Sequence, residues 1–174
     1  MKRFKKRAVF LDRDGTINYD FGYVYKFSDF IFRPHVIKGL RFLSKKKYLI
    51  FIVTNQAGIA KGKFKTSDLL LLHKRLKIFL KKKKVVINDI EYCPYHPDGI
   101  VKRYKKRSAY RKPGNKMIIK IHKKWNIDIK KSFMIGDKKT DKLAAQKSNL
   151  YYEYVTSNFY LQVRKIDKKV FNNY

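Results

Sequence analysis

The sequence predicts an α/β fold, a parallel β-sheet with helices packed on both faces. Short apolar runs of strand length alternate with stretches whose apolar residues recur at helical spacing. Three of the runs end in chemically active residues: Asp12-Arg13-Asp14, Thr54-Asn55 and Gly136-Asp137. In a parallel sheet, ligands bind beyond the carboxyl ends of the strands. The chain has 174 residues, 44% of them hydrophobic, which suits a single domain over residues 1–174 with a substantial core.

The elements follow in order. Ala8-Val9-Phe10-Leu11 is apolar on every residue, as a strand buried on both faces must be, and Asp12 closes it. Pro34 presets φ for a helix start, and Val36, Leu40 and Leu43 then share one face. Tyr48 to Val53 is the second strand, followed by a loop containing Gly58 and Gly62. Thr66 or Ser67 caps the next helix, whose stripe is Leu69, Leu72, Leu76, Phe79 and Leu80, and Lys81 to Lys84 end it. Val85 to Tyr92 is the third strand, and residues 93–112 form a long loop. Pro113-Gly114 opens a helix carrying Met117, Ile121 and Trp125, with Trp125 a core anchor. Ser132 to Ile135 is the fourth strand, Thr140 to Lys147 a helix, and Tyr151 to Val155 a fifth strand. The last 20 residues show no clear pattern.

Composition narrows the function. Lys and Arg total 44 against 13 Asp and Glu, a net charge of +31. Such a balance fits nucleic-acid binding. Lys is instead spread over nearly every segment, alongside abundant Ile, Phe, Tyr and Asn, as a coding bias would leave it. No specific nucleic-acid partner is therefore expected, and no membrane partner. The single Cys excludes an intrachain disulfide. The first apolar run stops at Asp12, too early for a signal-peptide core, so a cytoplasmic location is expected.

Asp12 and Asp14 lie two apart just past a strand, which puts both carboxylates on one side of extended backbone. A carboxylate there can attack phosphorus or bind a hard cation. The same string, followed by Gly15-Thr16, also reads as an ordinary Asp-rich turn. Arg111 and Lys112, taken alone, are two more charges in a basic chain. Their place before Pro113-Gly114 and a helix N-terminus makes them an anion site. His35, His73 and His122 fall on helix patterns and read as surface or packing residues.

Taken together, the motifs resemble those of the haloacid dehalogenase superfamily of phosphatases. Asp12-x-Asp14-Gly15-Thr16 is similar to its first motif, Val53-Thr54-Asn55-Gln56 to its second, Arg111-Lys112-Pro113 to its third and Gly136-Asp137-Lys138-Lys139-Thr140-Asp141 to its acidic fourth. Gly22-Tyr23-Val24 and Gln56 to Gly62 extend the match, over about residues 8–148, to the branch of heptose-bisphosphate and histidinol-phosphate phosphatases.

The resemblance implies a Rossmann-like sheet with no large cap domain. It also implies a Mg²⁺-dependent phosphomonoesterase that removes the 7-phosphate of D-glycero-D-manno-heptose 1,7-bisphosphate in lipopolysaccharide core synthesis. Histidinol phosphate or another sugar phosphate is the alternative substrate. A basic nucleic-acid-binding protein on a retired phosphatase scaffold is the alternative of a different class. Asp12 is the implied nucleophile and Asp14 the general acid and base, with Thr54 and Lys112 stabilising the phosphoryl group. Arg13, Asp20, Phe21, Gly22, Tyr23, Asn55, Gln56, Arg111 and Lys138 are the implied substrate contacts. Asp12, Asp14 and Asp137 are the implied Mg²⁺ ligands, Asp14 through its backbone carbonyl. Asp141 is left between steering this site and stabilising its helix. The partner is a small sugar bisphosphate and the expected state a monomer.

The branch carries His where this chain has Phe21, and Phe cannot donate that hydrogen bond to a sugar. Many relatives hold zinc in the loop with four Cys or His ligands. Here Cys93 alone is in place, with Tyr95, Ser108 and Tyr110 at the other positions, so no zinc is expected. Tyr92, Tyr95, Tyr104 and Tyr110 are candidates for holding the loop by packing.

Overall fold

The computed structural model describes residues 5–171; the basic start at residues 1–4 and residues 172–174 lie outside it. Five strands form one sheet: β1 (Ala8–Leu11), β2 (Leu49–Asn55), β3 (Asp89–Cys93), β4 (Phe133–Gly136) and β5 (Tyr151–Tyr154). Their order is β3-β2-β1-β4-β5 and every pairing is parallel. The helices are α1 (Val36–Lys45), α2 (Thr66–Lys82), α3 (Lys116–Trp125), α4 (Lys139–Gln146) and α5 (Phe159–Phe171).

Strand alternation divides the core. Val9, Leu11, Ile50, Ile52, Phe133 and Ile135 point to the face covered by α1, α2 and α5. Ala8, Phe10, Phe51, Val53 and Met134 point to the face covered by α3 and α4. The central strands are therefore apolar on both sides, as the sequence predicts. The two longest connections, residues 12–35 and 94–115, contain only single 3₁₀ turns, at Phe27–Asp29 and Lys102–Tyr104. No large cap domain is present among the described residues.

Several boundaries differ from the sequence expectation. Residues 85–88 lie ahead of β3 rather than in it: Val85 N closes the end of α2 on Leu80 O, and Asn88 meets β2 by donating its N–H to Ile50 O and accepting Ile50 N on its side chain. Pro34 and Pro113 sit in turns two residues or more ahead of their helices rather than in the first turn. Lys65, not Thr66 or Ser67, is the N-cap of α2, and Asp68 accepts its backbone N–H at 2.8 Å. The largest correction is α5, where no pattern is expected. Phe159, Val163, Ile166 and Val170 are buried and form a helical stripe, and the Asn158 side chain caps it by accepting Leu161 N. A Cβ on Gly39 of α1 would lie 2.5 Å from the Phe159 ring, so glycine there permits the α1–α5 approach. The buried Asp167 accepts the Tyr48 hydroxyl and pairs with Arg7 and Lys46, which ties α5 to the base of the sheet.

The 93–112 loop lies against the loop after β2. Ile100 N and Val101 N both donate to Ala60 O, and Tyr104 OH pairs with Thr66 Oγ1 at 3.0 Å. Tyr95 and Tyr104 meet at a tilt with ring centres 6.1 Å apart, and Lys106 lies over Tyr95, so two of the four expected aromatics hold the loop. Tyr92 packs on His73 instead, and Tyr110 is exposed. Trp125 meets Phe51 at 5.6 Å while its indole N–H reaches Asp89.

Candidate active site

β2, β1 and β4 are neighbours, and their carboxyl ends bring the first, second and fourth motifs together. The strand order reverses direction at β1–β4, which opens a crevice there. Asp12 follows β1 and is fixed to β4 by its N–H to Ile135 O at 3.1 Å. Lys112 comes from the end of the loop and is 2% exposed. Its Nζ lies 2.9 Å from Asp12 Oδ1 and 2.6 Å from Asp141 Oδ1, and donates to Val53 O at 2.8 Å. Burial opposes the lysine charge, but the two carboxylates outweigh it and hold its pKa above the usual range. Burial pushes Asp12 up to about 7 against the pull of Lys112, and Asp141 and Asp14 add to the rise.

Two carboxylates thus meet one ammonium, and a third, Asp137, stands beside them. Asp12, Asp137 and Asp141 bring oxygen atoms within 4.8 Å of one another. Asp137 Oδ1 is buried with no hydrogen-bond partner among the described residues. Burial raises the Asp137 pKa, with Lys138 only partly opposing. Gly15, at φ +83°, leaves room: a Cβ there would lie 2.2 Å from Asp137 Oδ2. Asp141 Oδ2 accepts the Lys138 N–H, and its buried Oδ1 is ion-paired with Lys112. It therefore caps the first turn of α4 and, in addition, pairs with Lys112. An orphaned buried oxygen and an excess of hard oxygen donors fit a divalent cation such as Mg²⁺.

Asp14 is held from three sides. Arg13 grips both its oxygens at 3.1 and 2.8 Å, Asn18 donates at 2.9 Å and Gln56 at 2.9 Å. Gln56 also donates to Thr54 Oγ1 at 2.9 Å. Asn55 clamps the Lys112 backbone, donating to its carbonyl at 3.1 Å and accepting its N–H at 3.0 Å.

A cavity of about 610 Å³ opens over these groups. Asp12, Asp14, Thr54 and Lys112 form its floor, and Asp20, Gly22, Tyr23, Arg111 and Lys138 its rim. Arg111 Nη1 is buried with no hydrogen-bond partner among the described residues, and burial lowers its pKa. Lys138 Nζ bridges to Asp20 Oδ2 at 3.0 Å. Burial alone would raise Asp20, but the bonds from Lys138 and the Gly22 N–H hold it below the usual range.

Not every residue expected on substrate is free in the cavity. Arg13 is fully buried beneath Asp14 and does not line the cavity. Asn55 and Gln56 line it but have their amides committed to Lys112, Asp14 and Thr54. Phe21 is 65% exposed, off the cavity, against Tyr19. Asn18 and the Asp141–Lys112 pair were not expected. The Asp137-x-x-x-Asp141 spacing was the available signal for Asp141.

The fold and the site define a haloacid dehalogenase phosphatase. The polynucleotide kinase 3 phosphatase family matches residues 9–166, and the chain belongs to this family of phosphatases. It is 45% identical over 138 residues to D-glycero-β-D-manno-heptose-1,7-bisphosphate 7-phosphatase of Photorhabdus laumondii, covering 79% of this chain and 73% of that one. The enzyme of that name from Escherichia coli K12 is 40% identical over 143 residues, covering 82% and 75% of the two chains. The fold is also that of D,D-heptose 1,7-bisphosphate phosphatase from B. bronchiseptica, a structure with magnesium and phosphate. The TM-score is 0.82 at 22% identity, over 94% of this chain and 99% of that chain.

Proposed function

We propose that the chain is a single phosphatase domain, a cytoplasmic monomer, that removes the 7-phosphate of D-glycero-D-manno-heptose 1,7-bisphosphate through an aspartyl-phosphate. The observation that carries this reading is the Asp12–Lys112–Asp141 cluster beside the three-sided hold on Asp14, in a chain 36–45% identical to relatives of that activity. No helix among the described residues is long and apolar enough to cross a membrane.

Asp12 attacks phosphorus, and the bond from phosphorus to the sugar oxygen breaks. Asp14 gives its proton to that oxygen, then takes one from the water that attacks the acyl phosphate. Lys112 meets the charge on the phosphoryl oxygens. Thr54 Oγ1 already accepts from Gln56, so its own O–H is left to donate to the same group. Arg111, with a buried unpaired N–H on the rim, suits the second phosphate of the substrate. Asp12, Asp137 and the Asp14 carbonyl would hold Mg²⁺. When bound, that ion offsets the repulsion between the carboxylate and the phosphate dianion.

The test is phosphate release, with and without Mg²⁺, from both anomers of the heptose bisphosphate, histidinol phosphate and a 3′-phosphorylated oligonucleotide. The oligonucleotide belongs in the panel because of the matched family's description and the net charge of +31. The expected result is Mg²⁺-dependent release with the heptose bisphosphate preferred. Preference for the oligonucleotide, or for histidinol phosphate, would replace the substrate.

A further inference from the structure

We propose that His73 is a positioning residue for phosphoryl transfer, acting through Arg13 on the orientation of the Asp14 carboxyl. The inference rests on the reading of Asp14 as proton donor to the leaving group.

The Arg13 guanidinium is fully buried and its planar fork meets the Asp14 carboxyl with two bonds, so the plane of one sets the plane of the other. On one side the second Nη2 hydrogen is shared between Val24 O at 2.6 Å and Gln56 Oε1 at 3.2 Å. On the other side Nη1 lies 3.3 Å from His73 Nε2. His73 belongs to α2 and is 6% exposed, between Leu69, Leu72 and Leu76 on the buried stripe of that helix. An apolar residue would continue the stripe; the imidazole breaks it where the guanidinium arrives. Burial and the Arg13 charge keep the ring neutral, so Nε2 can accept. Its ring meets that of Tyr92 in β3 edge to face, with centres 6.0 Å apart, which limits its rotation. Arg13 is thus moored to the loop at Val24, to the end of β2 through Gln56 and to α2 through His73. Removing the last leaves a buried N–H unpaired and lets the fork turn about the remaining bonds.

The experiment compares wild type, His73→Leu and His73→Gln on the sugar bisphosphate and on an aryl phosphate whose leaving group needs no proton. Gln offers an acceptor to Arg13; Leu fills the space without one. His73→Leu should lower kcat on the sugar substrate about tenfold, within the ~100-fold that a misplaced group costs. KM should stay about the same, and the aryl phosphate should lose about twofold or less, because the proton is dispensable there. His73→Gln should recover most of the loss. An equal loss on both substrates, a loss in KM alone, wild-type rates in His73→Leu, or no advantage of Gln over Leu would overturn the proposal. Should His73→Leu fail to fold, His73→Asn, too short to reach Nη1, replaces it with the same expectations. A wild type inert on both substrates would instead sink the phosphatase reading itself.

Discussion

Lys112 Nζ lies 2.9 Å from Asp12 Oδ1, an ion pair that joins the residue after β1 to the far end of the 93–112 loop. The ammonium is buried, also touches Asp141 at 2.6 Å and donates to the Val53 carbonyl. Three motifs distant in sequence are therefore held by one side chain, and the fold and the reaction depend on it together.

Lys112→Met should accordingly damage both. Loss of a preorganised positive charge beside the phosphoryl group lowers kcat by about 10²–10³. Leaving Asp12 and Asp141 buried without their cation costs on the order of 3 kcal/mol of stability. Steady-state kinetics beside urea unfolding would show the two effects together. Near-wild-type kcat in a folded variant would contradict the role given to Lys112.

Gly15→Ala tests the carboxylate pocket. A Cβ would lie 2.2 Å from Asp137 Oδ2, on a backbone at φ +83°. Asp137 must move, so the Mg²⁺ concentration for half-maximal activity should rise about tenfold or more, within the range seen when ligand orientation is lost. An unchanged Mg²⁺ dependence would show that Asp137 does not hold the ion.

Much of this was legible in the sequence, and the remainder has physical reasons. The central strands announced themselves because β1, β2 and β4 are buried on both faces. The site carboxylates stood out because strand ends expose them. α5 was hidden because its stripe is interrupted by Gln162 and Asp167, whose burial makes sense only once Tyr48 and the end of β5 are beside them. Arg13, Asn55 and Gln56 have the residue types of phosphate binders, yet their donors are taken by Asp14, Lys112 and Thr54. Asn55 and Gln56 meet Lys112 and Asp14 across 57 and 42 residues of chain, so spacing along the sequence does not show that these amides are already committed.

The loop at 93–112 gives a prediction about zinc. Cys93 is buried, and its Sγ lies 4.0 Å from Tyr95 O. Burial raises its pKa, which disfavours the thiolate that zinc requires. The loop rests on Ala60, Tyr95 and Tyr104 instead. Purified protein should contain far less than one zinc per chain, and chelators should leave the melting temperature unchanged. Stoichiometric zinc by elemental analysis, lost together with stability on chelation, would refute this account of the loop.

His73 gives a prediction for acid. Burial, then the Arg13 charge, lower its pKa from 6.5 to about 3. Between those values the unfolded chain takes up a proton that the folded chain refuses, so stability falls as pH drops below about 6.5. The slope approaches 1.4 kcal/mol per pH unit, and the loss between about pH 6.5 and pH 5 is about 1.6 kcal/mol. His73→Gln has no such proton to take up, and its stability should fall less steeply over the same range. Parallel curves from urea unfolding at a series of pH values would contradict the buried neutral state of His73.

The central claim is that Asp12 carries the phosphoryl group. Enzyme mixed with the heptose bisphosphate and Mg²⁺, quenched within one turnover and reduced with borohydride, should contain homoserine at position 12, because reduction converts a phosphorylated aspartate to that residue. Mass spectrometry of the peptide spanning β1 reads this directly, and Asp12→Asn serves as the control. The account predicts homoserine at Asp12 in wild type, none in the variant, and no turnover by the variant at saturating Mg²⁺. Homoserine at another aspartate, or steady turnover by Asp12→Asn, would contradict it.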